Sequence, residues 1–209
     1  MNHRMGKISA VITGAAVLAF AVSMIFGSLF TSCLSSMFIA LGFMPFVCGL
    51  AAVCPGQDRK GVGHTAIGFA AAYLVIILLV YFAEITTVRM NASLSTEALA
   101  IISYGHVGSL FFNYDLLGYG LMALSTFCIA FTVRPQDRGD KALRALLMIH
   151  GVFFVSGLIV PMLPVFTENA AGGDMMGTLI LECWCAYFLP VCILGYRYFT
   201  KVPREAGAR

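Results

Sequence analysis

Three carboxylates stand inside long apolar runs of this chain: Glu84, Asp115 and Glu182. An acid surrounded by aliphatic side chains is costly to keep, so each marks a place where the chain does something with charge. There it can carry a proton, hold a cation, or accept hydrogen bonds that fix other elements. Asp115 sits about one helical turn into its run, Glu84 near the end of another, and Glu182 about two turns in, or roughly 10 Å along a helix axis. These depths put all three acids in the same half of their segments, which predicts a shared acidic pocket. Asn113, Tyr114 and Tyr119 lie close to Asp115 in sequence, while His106 and Arg89 come from the polar stretch between two runs. Arg89 is a candidate ion-pair partner for Glu84 or Asp115. The predicted binding set is therefore Glu84, Asp115, Tyr119, Glu182, His106 and Arg89.

Other reactive residue types give weaker signals. A bundle that holds a metal collects histidines and carboxylates at one depth, often through Glu-x-x-His pairs. That pairing is missing, and His64, His106 and His150 fall at three different depths, so neither a metal nor a cofactor is assigned. His150 is expected to hydrogen-bond a neighbouring helix. Cys183-Trp184-Cys185 lacks the two intervening residues of a thiol redox motif, and on a helix its two thiols point about 200° apart, so packing is its expected role. There is no phosphate loop, no His-Glu-x-x-His and no Gly-x-Ser-x-Gly. No catalytic residue is assigned.

The elements that must position the acids are long. Of 209 residues, 60% are hydrophobic and 11% charged, and mean hydropathy is +0.90, whereas soluble domains carry about 25% charged residues. Crossing a bilayer takes about 20 apolar residues, and six runs meet that length, at about 8–30, 34–53, 64–87, 111–133, 143–166 and 175–199. Backbone polar groups in hydrocarbon must be paired within the segment, and no alternating barrel pattern is present, so the runs predict helices. The expected fold is all-α: one polytopic transmembrane domain over 1–209, a six-helix bundle. The apolar stretch from Ile8 to Phe30 exceeds the h-region of a signal peptide and predicts a retained first span.

Charge sets the orientation. Arg4 and Lys7, then Arg59 and Lys60, then Arg134, Arg138, Lys141 and Arg144, then Arg197, Lys201, Arg204 and Arg209 occupy the N-terminus, alternate connectors and the tail; Arg89 alone lies opposite. The positive-inside rule places both termini in the cytoplasm. Lying beside span ends, these cations account for the net charge of +3 without nucleic acid as a partner. The first outer connector is expected as a tight turn around Thr31 to Ser36. The stretch from Ser95 to Ile102 predicts a short helix capped by serine or threonine, lying at the outer surface. Gly14, Gly42, Gly118 and Gly157 are expected at close helix crossings. Pro45, Pro161, Pro164 and Pro190 are expected to break or kink their helices.

These features point to a multi-pass membrane protein of the bacterial cell membrane that binds or transports a small molecule through an outward-facing acidic pocket. A proton or an organic cation suits the negative charge, and a second copy or a partner membrane subunit is compatible with the apolar surface. Two other readings stay open: an intramembrane enzyme using the same acids, and a structural or regulatory subunit. In span number and orientation the chain resembles the substrate-binding subunits of energy-coupling-factor vitamin transporters, and Gly14-Ala15-Ala16 with Ala19 could supply the small-residue contacts of their first span. The resemblance is architectural and transfers no residue role.

Overall fold

A computed structural model describes residues 1–54, 56–91, 93–163 and 173–201, with backbone alone at Gln57 and residues 173–176. Among the described residues every element is a helix and no strand occurs. The helices are α1 (Asn2–Ile25), α2 (Leu29–Ala52), α3 (Lys60–Ala83), α4 (Thr96–Ile102), α5 (Leu110–Ala130), α6 (Arg138–His150), α7 (Phe153–Ile159) and α8 (Gly173–Lys201). Short 3-10 turns cover Gln57–Arg59 and Val160–Met162.

Among the described residues five helical stretches are long and apolar enough to cross a membrane: Asn2–Ile25, Leu29–Ala52, Lys60–Val88, Arg138–Met162 and Gly177–Lys201. Val22, Val75, Leu79 and Phe82 are each more than half exposed, an outer surface matched to lipid rather than water. The fourth predicted segment is helical over the 21 residues of α5, about 31 Å at 1.5 Å per residue. It falls outside the five because Asn113, Asp115 and two tyrosines dilute its apolar content. The helix that resembles a lipid-facing span least is the one that carries the polar site.

The first hairpin departs from expectation. Thr31 to Ser36 lie within α2, and the turn comes earlier, at Phe26-Gly27-Ser28. Gly27 has φ +65°, a left-handed conformation that costs glycine little. Its N–H donates to the Met24 carbonyl at 3.1 Å, and that of Ser28 reaches back to Ser23 at 3.0 Å. This is a Schellman closure, which satisfies the last free carbonyls of a helix. At its other end α1 begins at Asn2, so the basic residues expected ahead of the span are its first turns.

Packing follows the small residues. A Cβ on Gly42 would lie 3.0 Å from the Thr13 nitrogen, one on Gly118 3.1 Å from Ile77, one on Gly14 3.3 Å from Cys192, and one on Gly157 2.7 Å from the Leu116 carbonyl. All four predicted crossings are therefore close ones. Ser125 adds an interhelical bond, its hydroxyl donating to the Ala66 carbonyl at 2.8 Å. Pro45 and Pro190 lie inside α2 and α8, and Pro161 is the second residue of the 3-10 turn after α7. Pro164 and the connector from Glu168 to Gly172 lie outside the described residues.

The molecule has two distinct ends. At one, Gly6 of α1 packs against the Phe199 ring of α8. There Arg59 donates to the Phe131 carbonyl at 3.1 Å, the Arg134 N–H donates to the Tyr198 hydroxyl at 3.3 Å, and Lys201 bonds Asp137 and Asp140. The starts of α1, α3 and α6 and the ends of α2 and α8 thus share that end. The opposite end holds the Gly27 turn, the close of α3, α4 and the start of α5.

Candidate functional site

The close of α3 shifts from α- to π-helical hydrogen bonding at Glu84–Val88, a rare local widening often found beside functional residues. Glu84, at 5% exposure, opens that segment. Its carboxylate accepts from the Ser103 hydroxyl at 3.1 Å and from the Tyr104 backbone N–H at 2.8 Å. Glu84 thereby ties the loop after α4 down onto the end of α3. Ser109 locks the other side of the loop: its hydroxyl donates to the Ser103 carbonyl at 2.6 Å and accepts from the Phe112 N–H, capping α5. The expected cap of α4 is also present, with Ser95 accepting from Ala98.

Beneath this loop lies a buried cluster of hydroxyls and one acid. The Tyr104 ring meets the Tyr81 ring edge-on at 4.9 Å, and the Tyr81 hydroxyl faces Asp115. Tyr119, one turn beyond Asp115, lies edge-on to Tyr73 at 5.5 Å and near the hydroxyls of Ser36, Tyr81 and Tyr73. Glu84 and Asp115 both act electrostatically on Cys33. Side chains from α2, α3 and α5 thus converge on one polar interior. Within it the Asp115 Oδ1, Ser36 Oγ, Tyr73 OH and Tyr119 OH are buried without a well-aligned hydrogen bond, although the Tyr119 hydroxyl lies against those of Ser36 and Tyr73. A polar atom left so in an apolar interior costs about 1–3 kcal/mol. Four in one place mark a site built for something other than packing.

The predicted set divides accordingly. Asp115, Tyr119 and Glu84 are brought together, with Glu84 engaged at the rim. His106 belongs to the covering loop, where its N–H donates to the Ser103 carbonyl and its carbonyl accepts from Ser109. Arg89 pairs with neither Glu84 nor Asp115; its guanidinium lies over the Phe30 ring, 4.5 Å from the centroid. Glu182 stands apart, half-buried on α8 with Oε1 unpartnered, and its charge acts on Cys185 one turn along. Among the described residues no three His, Cys, Asp or Glu side chains come together as a metal-binding group.

A second polar chain runs deeper. The Trp184 indole N–H donates to His150 Nε2 at 3.0 Å, His150 Nδ1 meets the Thr126 hydroxyl at 2.8 Å, and Thr126 donates to the Ala123 carbonyl. The indole has only a proton to give, so Nε2 must accept, Nδ1 carries the hydrogen, and the ring is neutral. His150 is the expected helix-to-helix bond. Trp184 is the residue the sequence undervalued: besides holding His150, it packs edge-on to Tyr119 at 5.4 Å, joining this chain to the Asp115 cluster. Its neighbours Cys183 and Cys185 are exposed and buried respectively, as opposite faces of a helix require.

An apolar groove lies elsewhere. About 360 Å³ between the first half of α1 and the second half of α2, it is lined by Met5, Ile8, Ile12, Leu41 and Pro45 with Arg4 at its rim. It is an apolar cleft at the opposite end from the acids. The apolar helices and their exposed aliphatic surface have the character of a helical membrane protein. Comparison with protein families, with curated proteins and with solved structures gives no match, so the likeness to vitamin-transporter subunits rests on span number and orientation alone.

Proposed function

We propose that this is a multi-pass protein of the bacterial cell membrane that binds or transports a small positively charged species at the Asp115 cluster. α5 acts as the sixth span, and both termini face the cytoplasm. The observation that carries this reading is the convergence of three buried hydroxyls on one carboxylate, none of the four oxygens in a well-aligned hydrogen bond. Among the described residues no Lys, Arg or His pairs with that carboxylate, so an ionised Asp115 attracts a cation or a proton. The loop held by Glu84 covers the cluster on the side that the positive-inside rule assigns to the exterior, so entry is from outside. The apolar outer faces leave room for a second copy or a partner subunit.

The test is native mass spectrometry of the protein released gently from its own membrane. Wild-type protein is expected to carry a small noncovalent adduct that Asp115→Asn loses. Identical mass profiles for the two proteins, with both folded, would contradict the proposal.

A further inference from the structure

The donor chemistry of the cluster narrows its ligand. The unpartnered atoms are all oxygens: one carboxylate and three hydroxyls, from Asp115, Ser36, Tyr73 and Tyr119. Oxygen donors without nitrogen or sulfur suit hard cations. Ser36 and Tyr73 have no measurable exposure and Asp115 only 7%, so charge balance is strict in this interior. Among the described residues Glu84 is the other acid near the cluster, and its oxygens are taken as acceptors by Ser103 and Tyr104, so Asp115 is the carboxylate left to serve as a ligand. One carboxylate among neutral hydroxyls suits a monovalent ion better than a divalent one, which gathers several carboxylates. Three helices supply the donors: Ser36 from α2, Tyr73 from α3, and Asp115 with Tyr119 from α5. An ion bound among them would cross-link the bundle.

We infer that the Asp115, Ser36, Tyr73 and Tyr119 oxygens form a binding site for a desolvated alkali-metal cation, an inference that rests on the cluster being the functional site. Binding to the folded state alone raises its melting temperature by mass action, by roughly 5 °C or more once the ion is about a hundredfold above its Kd. The chain has a single tryptophan, Trp184, which touches Tyr119 and reports both unfolding and events at the site.

The experiment follows Trp184 emission during thermal unfolding of the full-length protein in detergent, in sodium chloride, potassium chloride or choline chloride at equal ionic strength. The expected result is a higher melting temperature in sodium or potassium than in choline, growing with the logarithm of the alkali concentration and lost in Asp115→Asn. Ser36→Ala, which keeps the charge, should weaken the apparent affinity at least about tenfold, the worth of one buried oxygen ligand. Equal melting in all three salts, or an undiminished alkali response in both variants, would overturn the cation site. Carbodiimide labelling of Asp115 separates the two levels of the argument. Labelling without an alkali response removes the cation and keeps the site, whereas neither labelling nor response removes both.

Discussion

Glu84 and Asp115 share a half of the molecule and have opposite fates. Glu84 is consumed in holding a loop, and Asp115 keeps an oxygen free. Removing the first should loosen structure: Glu84→Ala takes away the acceptor for Ser103 and Tyr104, at an expected cost of about 2 kcal/mol. Limited proteolysis should then cut between Arg89 and Ser109 faster than in wild type, and an unchanged rate would show that Glu84 does not fasten the loop. His150→Ala strands the Trp184 N–H and the Thr126 hydroxyl and opens a cavity, an expected loss of about 3 kcal/mol. Trp184 emission should shift in the folded variant, because the indole loses its acceptor. The acids were legible as isolated charges in apolar runs. Their partners were harder to read, because a tyrosine or serine in such a run is ordinary composition until helical spacing is considered. Tyr73, Ile77, Tyr81 and Glu84 recur at intervals of four, four and three, one buried face of α3, and Asp115 with Tyr119 repeats that spacing on α5. The turn-by-turn recurrence was the available signal.

Among the elements, glycine crossings and connector charges carry most of the order. Gly157→Ala would drive a methyl to 2.7 Å from the Leu116 carbonyl; backbone cannot swing aside, so a loss of about 1–3 kcal/mol is expected. Gly68→Ala, on α3 with no neighbour in reach of the added carbon, should stabilise slightly or do nothing. Equal melting temperatures for the two would argue against the α5 to α7 contact. At the charged end, Asp137 caps α6 by accepting from the Asp140 N–H at 2.9 Å, and it bonds Lys201. The Lys201 bond, aided by the Asp140 N–H, holds its acid down at about 2, against about 3.9 in an unfolded chain. A lowered folded-state value means that the contribution is full above about pH 4 and fades as pH falls toward 2. Melting temperature should therefore drop across that window more steeply in wild type than in Asp137→Asn; parallel curves would contradict the latch. The first turn was misplaced for a physical reason. The apolar run continues across Gly27, and its single left-handed residue ends a helix without any polar signal.

At the scale of the molecule, composition and positive charge spelled out a helical bundle with alternating polar ends, because hydrocarbon permits little else. The proposed orientation predicts that a fluorescent protein fused to the C-terminus glows and a fused alkaline phosphatase stays inactive; the reverse would invert the topology. Composition could not show that α5 stands against α3 with its carboxylate buried. Sequence spacing also could not separate Glu182 from the other acids, since depth along an axis says nothing of which way a helix is turned.

The most direct test of the central claim, that Asp115 is the reactive carboxylate of a buried polar site, is labelling with a membrane-permeant carbodiimide, read by peptide mass. The account predicts one adduct at Asp115, slowed when alkali cation is added, with Glu84 protected by its hydrogen bonds. An adduct confined to Glu182, with Asp115 unmodified, would contradict it.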